Sequence, residues 1–542
     1  MKRFFTLLFI SVVSLSSMHA QRYLTEIFDE VTVTEDVTYG VNATVLFVPV
    51  TGEAVPQELK MDIYEPAGDV EEDRPLVLVF HTGNFLPPVT NGQIAGSKSD
   101  NSDVEICTQL ARRGFVAAAV DYRLGWNPLA EDQPTRALGL IQAAYRGIQD
   151  GRTAIRFFRS DAAGEDQFGI DPDRITAWGN GTGGYLVAGL ATLDDFLEIV
   201  ETENGPAKFL LDTNGDGVPE TPMVVPTYHG DIEGKVLTIA PDGAFGLPAG
   251  DTTNYPNHVD FDSDVTMTVN LGGALGDVSW IDENTVPMVT VHSPNDLFAP
   301  YDDAVLIVPT TGDDIVRVQG GLGFQPVLND VGANDVFTAA AIDDEATDMA
   351  IANSATAGHD YFEALYPFIR EPNSNGLDEG VVINWWDPSA LSPPILPDFP
   401  NGVPWNALPH PSGGTFNDQG LVLNEGMSPE KARANIAEIM AYVVPRLCEG
   451  MTLGCMESST TEVLDASVFT IAPNPATDVL NIQTDGMNIQ SITIFGLDGK
   501  TYAQQEVNSQ SATIYRNNLP AGIYLIKALF EEGVATQRVV FR

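Results

Sequence analysis

A short apolar strand runs straight into a turn of glycines and out again as an apolar helix. The segment is Arg174-Ile-Thr-Ala-Trp-Gly-Asn-Gly-Thr-Gly-Gly-Tyr185, followed by the apolar run to Leu193. Few folds accommodate this order, because the strand end must aim directly at a helix N-terminus through a turn with no bulky side chains. Gly179 and Gly183 have the spacing of the outer glycines in the G-x-S-x-G nucleophile elbow, which puts Gly181 at the nucleophile position. That backbone conformation is costly for a residue with a Cβ, so glycine eases the turn. It also removes the hydroxyl. An enzyme that has lost a triad member keeps only roughly 10³–10⁴ over water from its oxyanion hole and binding.

The rest of the body supplies a sheet for this turn. Leu76–Phe80, Phe115–Val120, Ile175–Trp178, Val265–Val269 and Val286–Val291 are mostly continuous apolar runs. Helical patterns lie between several of them, at Val104–Arg113, Ala143–Arg159 and Tyr185–Leu193. Fully apolar strands alternating with helices predict an α/β fold, a doubly wound and mostly parallel sheet covered on both faces. Chemistry in such a sheet collects at the carboxyl ends of the strands. Ser428 as N-cap and Pro429 at the first helical position mark a last helix through Val444. After Cys455 comes a polar linker, 456–463, and then alternating runs separated by Asp-Gly and Pro-Ala-Gly turns over 464–542. These predict a small all-β sandwich.

A chain of 542 residues, 44% hydrophobic, can bury a large core in more than one domain. Its 75 acidic against 27 basic residues, a net charge of −48, exclude nucleic acid and anionic membrane as partners. Lys2 and Arg3, the apolar run Phe4–Leu15 and the small residue Ala20 predict a signal peptide over 1–20, leaving a body over 21–455. No later run is long and apolar enough for a transmembrane helix. Export favours a disulfide between Cys448 and Cys455, while Cys107 sits in a helical pattern as a small core residue.

Five segments carry a resemblance. Val79-Phe-His-Thr-Gly-Asn-Phe85 has the form of an H-G-G-x-F oxyanion loop, and Val120-Asp-Tyr-Arg-Leu124 that of a V-D-Y-R-L strand end. Asp150–Arg156 through Ile170–Ile175 leads into the glycine turn, and Val289–Asp296 with Ala299-Pro-Tyr301 follows it. In this order they resemble the α/β-hydrolase superfamily, in its secreted carboxylesterase-like branch related to feruloyl and acetyl-xylan esterases. In the tail, Pro473-Asn-Pro475, Ile492–Lys500, Leu519–Tyr524 and Gln537–Arg542 resemble the C-terminal sorting domain of type IX secretion. That resemblance implies handling by the type IX machinery, passage across the outer membrane, and a secreted or cell-surface destination.

The hydrolase resemblance implies roles for particular residues. Asp296 is the candidate triad acid, with Asp277 as rival; His359 is the candidate base, with His410 as rival; His81 and His292 read as structural. Gly83 (or Thr82) and Thr182 would supply the two oxyanion N–H groups. Thr182 is also the hydroxyl next to the turn, with helix N-capping as its ordinary role and nucleophile as the alternative. No cofactor is required. Asp212-Thr-Asn-Gly-Asp-Gly-Val-Pro-Glu220 matches the start of a D-x-N-x-D-G calcium loop, with Asp212, Asn214, Asp216, the Val218 carbonyl and Glu220 as ligands of a structural Ca²⁺. Met223 stands where an EF-hand has its bidentate glutamate, and a solvated acidic turn is the alternative. The stretch Val308–Pro411, rich in Pro, Gly, Asp and Asn, reads as a lid whose Trp385, Trp386 and Trp405 either pack or stack on a ligand. Two functions from different classes follow: a hydrolase of extracellular or polysaccharide esters, or a catalytically degenerate binding protein displayed at the surface.

Overall fold

The computed structural model describes residues 22–202, 208–241, 249–307, 312–377, 384–393, 402–455, 462–464, 466–484, 486–496, 501–516, 519–530 and 533–542. The expected signal peptide and most of the expected linker lie outside them. The chain divides into two compact units between Cys455 and Met456.

The larger unit is built on eight strands: β1 (Val31–Thr44), β2 (Val55–Pro66), β3 (Arg74–Phe80), β4 (Val116–Val120), β5 (Ile170–Asn180), β6 (Met267–Leu271), β7 (Met288–His292) and β8 (Leu365–Pro367). Their order in the sheet is β1-β2-β4-β3-β5-β6-β7-β8. β1, β2 and β4 pair antiparallel at one edge, and every pairing from β4 through β3 to β8 is parallel. Strand period explains the two-sided core. Leu76, Leu78 and Phe80 of β3 face one cluster, with Ile148, Ile155 and Leu186; Val77 and Val79 face another, with Ile106, Leu110, Ile439 and Val443.

Six longer helices cover these faces: α1 (Asn101–Arg113), α2 (Gln133–Ala162), α3 (Thr182–Thr192), α4 (Gly321–Asp330), α5 (Glu345–Ala357) and α6 (Pro429–Gly450). As the sequence predicts, Ser428 caps α6, its hydroxyl accepting from the Lys431 N–H at 3.1 Å. Cys448 and Cys455 are joined by a disulfide, and Cys107 is buried and free. Among the described residues no helix is long and apolar enough to cross a membrane.

One expectation fails. Much of Val308–Pro411 is not lid, because the segment contributes α4, α5 and the edge strand β8 to the body. α5 was hard to see because it buries only Thr347, Ala350 and Ser354, too narrow an apolar stripe for a clear helical period. Its start is nevertheless capped, with the Asp344 carboxylate accepting from the Thr347 N–H at 2.7 Å.

The smaller unit has a five-stranded and a three-stranded sheet, the latter ordered Phe469–Ala472, Val479–Thr484, Ser511–Tyr515. Leu480 and Ile482 from one sheet and Ile494, Ile526 and Val539 from the other close a single core, as a sandwich requires.

Candidate active site

The glycine turn sits at the carboxyl end of β5, between β3 and β6, where Phe80 and Asn270 both stand opposite Gly179. Two of its glycines are forced by close backbone approach. A Cβ on Gly179 would lie 2.1 Å from the Gly183 carbonyl oxygen, and one on Gly183 would lie 2.1 Å from that of Phe80. Gly181 differs: it caps α3 with φ 51° and ψ −107°, a left-handed conformation that strains any residue with a Cβ. Its N–H donates to the Leu271 carbonyl at 2.7 Å, fixing the turn to the end of β6.

The volume beside Gly181 is filled. A Cβ built there would meet the Thr82 Oγ1 at 2.4 Å and the Thr82 Cβ at 3.1 Å. Thr82 stands at the second position of the oxyanion loop, where the H-G-G-x-F pattern has glycine. The Thr182 N–H, the expected oxyanion donor, faces the same Thr82 hydroxyl at 3.5 Å. The other expected donor, Gly83, is buried at φ 123° in a loop whose next residues, Asn84 and Phe85, also have positive φ. That loop is tied down: the Asn84 N–H donates to the Thr182 Oγ1 at 2.7 Å, and the Trp126 Nε1 donates to the Asn84 carbonyl at 2.8 Å. Thr182 is therefore not the cap; Gly181 holds that position without a side chain, and the Thr182 hydroxyl serves the loop.

The charge-relay candidates lie apart in their bonding. The Asp296 Oδ1 accepts from the N–H groups of Phe298 at 2.7 Å and Ala299 at 3.0 Å, and its Oδ2 lies 3.9 Å from His292 Nε2. His292 is wholly buried, its Nδ1 accepting from the Gly321 N–H at 3.1 Å. Burial holds its imidazole below the ordinary pKa. His359 follows α5; its Nε2 meets the Tyr301 hydroxyl at 2.8 Å and its Nδ1 the Asp360 carbonyl at 2.7 Å. His410 packs edge-on against Phe416, with Nδ1 accepting from the Ser412 N–H at 3.0 Å and Nε2 donating to the Gly92 carbonyl at 3.1 Å. Asp277 pairs with Lys208 at 2.5 Å and accepts from the Ser279 N–H at 2.9 Å. Among the described residues no hydrogen bond or ion pair joins any of these carboxylates to His359 or His410.

Beneath the turn lies a polar cluster that sequence reading missed. Asn180, the residue before Gly181, accepts from the Trp178 Nε1 at 2.9 Å and donates to the Asp103 Oδ1 in α1. Asp103 and Asp100 are both buried, and the Asp103 Oδ2 has no hydrogen-bond partner among the described residues. Burial pushes the Asp103 carboxyl up to about 7, and burial together with Asp103 raises Asp100 as well. The available signal was two aspartates three apart just before the predicted helix Val104–Arg113; in the structure Asp100 is the N-cap of α1 and Asp103 lies in its first turn. His81 is buried and stacked on Tyr122 at 4.4 Å, which agrees with a structural role.

In the calcium-like loop, carboxylate oxygens of Asp212, Asp216 and Glu220 lie within 4.8 Å of one another, all exposed. The loop also closes on itself: Asp212 accepts from the N–H groups of Gly215 and Gly217, Asn214 from that of Asp216, and Asp216 from that of Val218. Trp405 packs with Leu408 and Phe416, and the Trp386 Nε1 donates to Asn417 at 3.0 Å, so both act as anchors for the segment around them.

Comparison with known proteins fits this architecture. Residues 61–310 match the BD-FAE family, and residues 470–542 match the secretion system C-terminal sorting domain. No curated protein matches the chain. Among solved structures it is similar to a thermophilic esterase of the Planctomycetes species Thermogutta terrifontis with propionate bound, at 18% identity over 49% of this chain and 74% of that one. It is also similar to esterase 2 of that organism phosphorylated by paraoxon, at 18% identity over 51% and 74%. Both have a TM-score of 0.28, too low to bear on the site.

Proposed function

From a chain whose residues 61–310 match the BD-FAE family of esterase-like α/β-hydrolase domains and whose tail matches a secretion sorting domain, we propose an exported protein that keeps the ester-hydrolase scaffold without serine-type acyl transfer. The observation that carries this reading is Gly181, which sits at the turn position that would present the nucleophile and has no side chain. Two further features support it. The Thr182 hydroxyl is engaged by the Asn84 N–H, and Asp296 and His359 each have other partners. The function left to such a scaffold is binding, with an acylated extracellular polysaccharide or a related ester as the ligand class that the family suggests. Residues 1–20 would start export as a signal peptide, and the sorting tail assigns the secreted or cell-surface destination.

The test is direct. A fluorophosphonate probe incubated with the purified protein leaves no adduct by mass spectrometry, and p-nitrophenyl acetate hydrolysis is the same for wild type and Asp296→Ala. An adduct on Thr82 or Thr182, or hydrolysis abolished by Asp296→Ala, would overturn the proposal and restore the hydrolase reading.

A further inference from the structure

The loss at the turn involves two residues. We propose that Thr82 is the plug of the elbow: its side chain occupies the space that a side chain at position 181 would need and covers the Thr182 N–H, so positions 82 and 181 form one coupled unit. This rests on the reading of a turn without its nucleophile and adds what fills the place.

The geometry leaves little choice. Real Cβ atoms do not approach other heavy atoms to 2.4 Å, so a side chain at 181 and the present Thr82 hydroxyl exclude one another. Relief by rotating the hydroxyl away would still leave the Thr82 Cβ at 3.1 Å, closer than ordinary van der Waals contact, because the obstruction begins at the branch point. The loop cannot easily back off either. Asn84 is bonded to Thr182 and Trp126, and Gly83 is hemmed in, since a Cβ there would lie 2.9 Å from the Gly96 Cα. Thr82 and Gly181 are both half-buried and Thr182 is buried, and the Thr182 N–H faces the Thr82 hydroxyl at 3.5 Å. An approaching carbonyl or carboxylate oxygen must displace the Thr82 hydroxyl before it reaches that amide. Among the described residues no hydrogen bond joins the Thr82 hydroxyl to a histidine or a carboxylate, whereas the Thr182 N–H faces it.

Two effects penalise a side chain at 181, the positive φ and the overlap with Thr82, and a double-mutant cycle separates them. The full chain is prepared as wild type, Gly181→Ser, Thr82→Gly and the double variant, and each is unfolded in urea. Backbone strain at 181 is the same whichever residue stands at 82 and cancels in the cycle; the overlap does not. The expected result is that Gly181→Ser lowers the folding equilibrium constant about tenfold more when Thr82 is present than when it is Gly. Failure of Gly181→Ser to fold, with the double variant folded, is the same result in stronger form. Gly181→Ala, which adds only the Cβ, repeats the cycle and serves alone if neither serine variant folds. An equal cost in the two backgrounds would overturn the plug. Because the readout is stability, the outcome is independent of probe labelling: an adduct on wild type would defeat the proposed function and leave the cycle to decide the coupling.

Discussion

Asp103 is the residue whose chemistry is most out of place. A carboxyl with a pKa near 7 when folded and about 3.9 when unfolded holds an extra proton in the folded state between those values. Stability then falls as pH rises through that window, the reverse of the usual salt-bridged aspartate, because the ionised unfolded chain must take up a proton on folding or bury a charge. Asp103→Asn keeps the shape and removes the titration. Melting temperature measured from pH 4.5 to 8 should decline more steeply in wild type than in Asp103→Asn, with the two diverging toward high pH. Parallel profiles would show that Asp103 is ionised throughout and that its burial is tolerated in some other way. The Asn180 amide that donates to Asp103 directly precedes Gly181, so the proton sits under the backbone that shapes the turn.

Elements differed in how plainly they could be read. β3 to β7 announced themselves because their central residues are buried on both faces and form near-continuous apolar runs, the pattern of a covered parallel sheet. The turn after β5 was equally legible, since Gly179 and Gly183 are dictated by backbone contact and leave their spacing in the chain. β8 and α5 were not, because a three-residue edge strand and a helix with a narrow apolar stripe leave no period to count. The site was legible at its centre and opaque around it. Gly181 could be named from spacing alone, whereas the bonding of His359 and Thr182 depends on contacts between loops distant in sequence, and that of Asp296 on the local turn to Ala299. The Thr182 contact is testable at this level. Thr182→Val removes the acceptor of the Asn84 N–H and should destabilise the body by about 1–2 kcal/mol in urea unfolding, with Thr182→Ser restoring most of it. If Val costs nothing, the oxyanion loop is held by the Trp126 contact alone.

For the molecule as a whole, the decisive feature is that address and scaffold reside in separate compact units. The body closes its own two cores around the large sheet, and the tail closes a third between its two sheets. The secreted or cell-surface destination is carried by the sorting tail. Deleting residues 470–542 should therefore abolish delivery without dismantling the body. In a host with the matching secretion machinery, fractionation should recover the full chain in the medium or on the cell surface and the truncated chain inside the outer membrane. The retained body should still show cooperative unfolding, because the apolar residues of its two clusters all lie before the cut. A truncated protein found outside would mean that export is read from the body; a retained but unfolded one, recognised by its loss of protease resistance, would mean that the body needs the tail to fold.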